Sequence, residues 1–255
     1  MGENILKIEN LSVNCGEKKI LHDINFSIRR GEILIIAGES GSGKSTILKA
    51  IGGLLGKNFI LNGKIFFCGQ DITKISDFER RKIAGEEIGM IFQNAGASFC
   101  PIRKIGDQIF ESVRVHRDFD KKSFLKQAKS IMQKINLDFS VLNEYPFKLS
   151  GGMAQRAGIL AATILKPKLL LADEATSALD VVTQAEVVKE LLKLRDSEQI
   201  SIILVTHDLK IAKKMADNVL ILRKGGEIAE FGTRDQIFIT PKESYTRELI
   251  KAANL

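Results

Sequence analysis

At 255 residues the chain has room for one large domain or two small ones. No apolar run approaches the ~18 residues a membrane-spanning helix needs, so no span is predicted. The net charge of +7 comes from 38 Lys and Arg against 31 Asp and Glu; the basic residues are dispersed, which fits general solubility, and no nucleic-acid partner is expected.

In chain order, Met1-Gly2-Glu3-Asn4 lacks the charged-then-apolar form of a secretion signal, and Leu6 stands where a myristoylation pattern needs Ser or Thr. Leu6, Ile8, Leu11 and Val13, then Leu21, Ile24, Phe26 and Ile28, read as short strands, and Leu61 to Phe67 adds another. They predict an antiparallel layer. Ile33 to Ala37 reads as a buried parallel strand. It runs into Gly38-Glu39-Ser40-Gly41-Ser42-Gly43-Lys44-Ser45, the spacing of a phosphate-binding loop. Glycines let backbone N–H groups converge on an anion. Lys44 can reach the β- and γ-phosphates, and the Ser45 hydroxyl suits Mg²⁺. Ile47, Leu48, Ile51, Leu54 and Leu55 follow at helical spacing, so the loop opens a helix whose N-terminus favours phosphate.

From about 96 to 162 the pattern is helical. Phe124, Leu125, Ala128, Ile131, Met132 and Ile135 form an apolar stripe, with Lys121, Lys122, Lys126, Lys129 and Lys134 for the wet face. Leu169 to Ala172 is a second buried strand, ending in Asp173 and Glu174. An acid at such a tip suits Mg²⁺, while strand alternation turns Glu174 elsewhere, where it can polarise water. Ser201 to Val205 is a third strand, and His207 lies at its carboxyl end, where α/β sheets bind ligands. His22, His116 and His207 offer no pair with metal-ligand spacing. Gly225-Gly226 marks a turn before a closing strand and short helices over 226–255. Cys15, Cys68 and Cys100 are scattered and odd in number, which argues against a disulfide framework and fits a reducing cytosol.

The ordered set resembles the ATP-binding-cassette family. Beyond the phosphate loop it comprises Gln93 in Met90-Ile91-Phe92-Gln93, the signature Leu149-Ser150-Gly151-Gly152-Met153, Asp173-Glu174, Ser177-Ala178-Leu179-Asp180, and His207. The resemblance implies an α/β fold: a P-loop NTPase (RecA-like) core with an N-terminal antiparallel β layer and an inserted helical subdomain. The core would take about 1–95 and 163–225, the helical signature subdomain 96–162 and a closing segment 226–255, all in one ATPase domain. ATP would lie on Gly38, Glu39, Ser40, Gly41, Ser42, Gly43, Lys44, Ser45 and Thr46, with Mg²⁺ on Ser45, Gln93 and Asp173. Glu174 would be the catalytic base, with His207, Gln93 and Lys44 beside it in the chemistry. Ser150, Gly151 and Gly152 would complete ATP bound to a partner cassette, with Asp180 at the seam. Three positions depart from the family: Cys15 stands where an aromatic residue usually stacks on adenine, Met153 where glutamine is common, and Ala175 where proline is common.

Glu39-Ser40, Ala97-Ser98-Phe99-Cys100-Pro101 and Tyr145-Pro146-Phe147-Lys148-Leu149 further resemble the dipeptide/oligopeptide/nickel import subgroup. Peptide-type members often carry a cysteine-bearing C-terminal extension; the chain ends at Leu255, which keeps the metal-chelate type in view. The resemblance implies an ATP-hydrolysing importer motor at the cytoplasmic face of the membrane. Its partners would be a second cassette, a related chain or a copy of this one, permease subunits and, indirectly, a substrate-binding protein. Phe99, Pro101 and Ile102 are candidates for the permease groove. The alternative is a soluble cassette ATPase acting on DNA or ribosomes. Those usually interrupt or duplicate the cassette, and this chain has one uninterrupted copy.

Overall fold

The computed structural model describes residues 3–255, which form two compact units: residues up to 81 with 201–255, and residues 82–200. Met1 and Gly2, part of the stretch read for targeting signals, lie outside the described residues.

In the first unit, β1 (Asn4–Cys15) and β2 (Lys18–Arg29) form an antiparallel hairpin. Period-two alternation sends Leu6, Ile8, Leu11 and Val13, and Leu21, Ile24, Phe26 and Ile28, into the core. β3 (Ile33–Gly38) is buried throughout. α1 (Lys44–Gly52) stops at Gly53, whose left-handed φ of 70° turns its N–H back onto Ala50 and Lys49. Leu54 and Leu55, on the predicted helical spacing, therefore fall beyond the helix. β4 (Phe59–Phe67) and β5 (Gln70–Asp71) complete the antiparallel sheet in the order β2-β1-β4-β5, and α2 (Asp77–Ile83) follows.

The second unit pairs β6 (Ile88–Ile91) with β7 (Leu169–Asp173) in parallel, Ile88 opposite Leu169. Between them run α3 (Ile105–His116), α4 (Lys121–Lys134) and α5 (Gly151–Thr163); α6 (Val181–Glu198) follows β7. The α4 stripe is buried at Phe124, Ala128, Ile131 and Met132. Phe124 is 1% exposed, so its truncation to Ala should cost about 3–5 kcal/mol. Lys134 leaves the wet face assigned to it: it is half-buried and paired with Glu198. Burial opposes ionisation of Glu198, but Lys134 and Lys166 hold its carboxyl below the usual range.

The chain re-enters the first unit at β8 (Ser201–Val205), then α7 (Leu209–Met215), β9 (Asn218–Arg223), β10 (Glu227–Thr233), α8 (Arg234–Ile239) and α9 (Ser244–Ala252). β3 runs parallel to both β8 and β9, and β10 is antiparallel on β9. The continuous apolar runs of β3, β8 and β9 are what a two-sided parallel layer requires.

Candidate functional site

The phosphate loop leaves β3 at Gly38, where φ is +147° and an added Cβ would stand 2.0 Å from the Leu222 carbonyl oxygen. Gly43 ends it at φ +98°, with room for a Cβ blocked 2.7 Å away by Leu21 Cδ2. Both glycines are therefore required by the packing of the loop on β9 and β2. Inside the loop, Ser42 N–H donates to the Glu39 carbonyl at 3.3 Å and Thr46 N–H to that of Gly43 at 3.0 Å. Lys44 Nζ donates to the carbonyls of Gly38 at 2.9 Å and Glu39 at 2.6 Å, which holds its ammonium across the loop. The Ser42 hydroxyl is buried without a hydrogen-bond partner among the described residues. No side chain caps α1 at Gly43, the kind of helix start whose dipole favours an anion.

In the second unit, the buried Asp173 ends β7. Glu174 does not continue the strand alternation expected of it. Its φ is +46°, and its carbonyl accepts from Ser177 N–H at 3.1 Å and Ser177 Oγ at 3.0 Å. The tight turn rather than the pleat aims its carboxylate, which accepts from Gln93 Nε2 at 3.0 Å. Gln93, just beyond β6, and Glu174, just beyond β7, meet because those strands are parallel neighbours.

Ser150 caps α5, its hydroxyl accepting from Met153 N–H at 3.3 Å. Asp180 caps α6, accepting from the N–H groups of Val182 and Thr183 at 3.0 Å each. Hydrogen bonds from Thr183, side chain first, hold the Asp180 carboxyl below its usual range. The two helices are tied by Arg156, whose Nε donates to Glu190 at 3.0 Å and Nη2 to Glu186 at 2.8 Å. Gly152 sits where a Cβ would meet Thr183 Cγ2 at 2.9 Å, so a larger residue would push the helix starts apart. The helix starts bearing Ser150 and Asp180 thus form one braced pair.

His207 is exposed on the turn after β8. Half-buried Cys15 pairs with Phe59 across β1 and β4. The cysteines form no disulfide. Ile102 is 82% exposed on a loop that Gln108 braces, accepting from Cys100 N–H at 2.7 Å and donating to the carbonyls of Cys100 and Arg103. Arg156 and Tyr245 escaped the sequence reading. Arg156 lies three residues past the signature, and acids at 186 and 190, one helical turn apart, were the available signal. Tyr245 hydrogen-bonds Glu39 across 206 residues, and no local pattern reports such a pair.

Residues 21–177 match the ABC transporter family. The dipeptide transport ATP-binding protein DppD of Escherichia coli is 37% identical, over 97% of this chain and 78% of its own length. The metal-staphylopine import system ATP-binding protein CntD of Staphylococcus aureus is 35% identical, over 96% of this chain and 92% of its own. The dimeric post-hydrolysis structure of the ATP-binding cassette MJ0796, bound to ADP and Pi, superposes with a TM-score of 0.79 at 28% identity, covering 90% of this chain and 98% of that one. A phosphate loop, a strand-tip carboxylate pair and a match over most of the chain define an ATPase of the P-loop α/β class. The chain belongs to the ABC transporter family and is an ATP-binding ABC ATPase.

Proposed function

We propose that this chain is the ATP-hydrolysing motor of a membrane importer for peptides or nickel and other metal chelates. The Gln93–Glu174 hydrogen bond at 3.0 Å carries the hydrolytic part of this reading. It joins a carboxylate able to orient and deprotonate water to a side-chain amide that fixes its direction. Water would attack the γ-phosphorus as the bond to the β-phosphate oxygen breaks, giving ADP and phosphate. The loop from Gly38 to Thr46 would bind the phosphates, with Lys44 offsetting their charge. His207 would contact the γ-phosphate.

Ser45, Gln93 and Asp173 offer oxygen donors alone, the chemistry Mg²⁺ prefers. Among the described residues no group of three or more His, Cys, Asp and Glu is placed to hold a metal ion. Mg²⁺ would supply charge neutralisation on the phosphate oxygens.

Ser150, Gly151, Gly152 and Asp180, on the braced helix starts, would complete the site of a second cassette, a related chain or a copy of this one. The helical signature subdomain would be 96–162, between core segments 1–95 and 163–225, with 226–255 closing the domain. No helix of the described residues is long and apolar enough to cross a membrane, so integral-membrane permease subunits would form the path. The exposed Ile102, with Phe99 and Pro101, would offer them an apolar contact, and the chain would then lie peripherally on the cytoplasmic face; a substrate-binding protein would deliver cargo. The alternative of a soluble ATPase on DNA or ribosomes has no feature here that favours it. The test is reconstitution of the chain with its membrane subunits in vesicles, supplied with dipeptide or nickel chelate. ATP-dependent uptake that stops when the chain is omitted supports the proposal. A chain that never associates with integral-membrane subunits contradicts it.

A further inference from the structure

The phosphate loop is tethered to the far end of the chain. Glu39 carries three contacts at once. Its carbonyl accepts from Lys44 Nζ at 2.6 Å and from Ser42 N–H at 3.3 Å. Its carboxylate accepts from the Tyr245 hydroxyl of α9 at 3.3 Å. The peptide that orients the loop lysine and a loop amide is thus the one whose side chain α9 holds.

The placement follows from the sheet. β3 and β9 run parallel with Gly38 opposite Leu222, so Glu39, the first residue beyond β3, comes next, at the level of Arg223, the last residue of β9. Arg223 lies 3.9 Å from Glu243, just ahead of α9, and two residues before Tyr245. Burial first, then the charge of Glu39, raises the Tyr245 phenol above its usual range, against an opposing pull from Arg223. The hydroxyl therefore stays a donor throughout the neutral range.

α9 does not need this bond for its seat. Glu230 accepts from the N–H groups of Lys242 at 2.9 Å and Glu243 at 3.3 Å, and Arg247 donates to the carbonyls of Pro241 at 3.0 Å and Lys242 at 2.8 Å. Thr246 and Ile250 are buried. With the segment held by these contacts, the Tyr245–Glu39 bond is left to act on the loop.

We infer that Tyr245 is a positioning residue for ATP: through Glu39 it sets the peptide that aims Lys44 and the Ser42 amide, and so couples the C-terminal helix to the phosphate loop. This rests on the ATPase assignment. A helix whose position changes when a partner docks would thereby change ATP affinity without touching nucleotide.

The test compares wild type, Tyr245→Phe, Glu39→Ala and the double variant, all as intact chains in the assembled complex, with Lys44→Ala as a control. ATP binding, KM, kcat and the nucleotide-free melting midpoint are measured. Tyr245→Phe should raise the ATP Kd and KM about three- to tenfold, with kcat changed by less than about twofold and the midpoint unmoved. The double variant should match Glu39→Ala, because both changes break one link. An unchanged KM in Tyr245→Phe, additive effects in the double variant, or a loss that follows the midpoint overturns the inference. A wild type that binds no ATP, or whose binding ignores Lys44→Ala, instead overturns the ATPase assignment beneath it.

Discussion

Gln93 donates its side-chain amide to the Glu174 carboxylate at 3.0 Å, joining the ends of two neighbouring parallel strands. Glu174 reaches that partner from a left-handed backbone, φ +46°, uncommon for a residue with a Cβ. Neither residue alone fixes the direction of the carboxylate.

Gln93→Ala removes the amide and keeps the carboxylate. Turnover should fall about tenfold or more, beyond any loss of ATP affinity from the weakened Mg²⁺ set, because positioned acid–base groups contribute roughly 10²–10⁴-fold and their orientation is part of that. Steady-state ATPase kinetics beside equilibrium ATP binding check this.

Gly38→Ala should abolish ATP binding. Its Cβ would lie 2.0 Å from the Leu222 carbonyl oxygen, a backbone atom that cannot swing aside, so the loop must leave its place on β9. Gly41→Ala is the contrast, with φ +78° but open space at its Cβ, and should cost only about 1–2 kcal/mol of backbone strain. ATP titration and thermal melts of both variants separate steric block from strain.

Arg156→Met strands Glu190, which is 2% exposed, and should destabilise the fold by about 3–5 kcal/mol. The loss should depend on pH. Burial raises the Glu190 carboxyl, and Arg156 pulls it partly back. A raised carboxyl pKa means the folded state keeps its proton to higher pH than the unfolded chain, so stability falls as pH rises through that window. Without Arg156 the window widens upward. Urea denaturation should therefore show a smaller penalty near about pH 5 than near about pH 8.

Much of this was legible in sequence because the signals are local. Alternation placed β1 and β2, apolar runs placed β3, β7 and β8, and glycine spacing placed the loop that Gly38 and Gly43 prove to need. What escaped was long-range or conformational. α1 ends at Gly52, three residues before Leu55, the last position of its apolar pattern, because Gly53 turns left-handed. Lys134 looked solvated on its own helix, yet Glu198 of another helix draws it in. Glu174 was read as a strand residue, and only the backbone shows the turn that aims it. The Arg156 brace and the Tyr245 tether join residues far apart in sequence, where periodicity carries no information.

Ile102→Asp puts a charge on an apolar side chain that is 82% exposed and held on a braced loop. It should leave ATP binding intact and reduce co-purification with membrane subunits at least about tenfold, as expected for charging the apolar core of an interface. Pull-down from solubilised membranes, with ATP binding measured on the same preparations, checks it.

The central claim is that this chain hydrolyses ATP with Glu174 acting on the attacking water. Its most direct test is phosphate release by Glu174→Gln in the assembled complex, with ATP binding measured in parallel. Retained binding with turnover reduced about 100-fold or more is the predicted result. Turnover equal to wild type would contradict it.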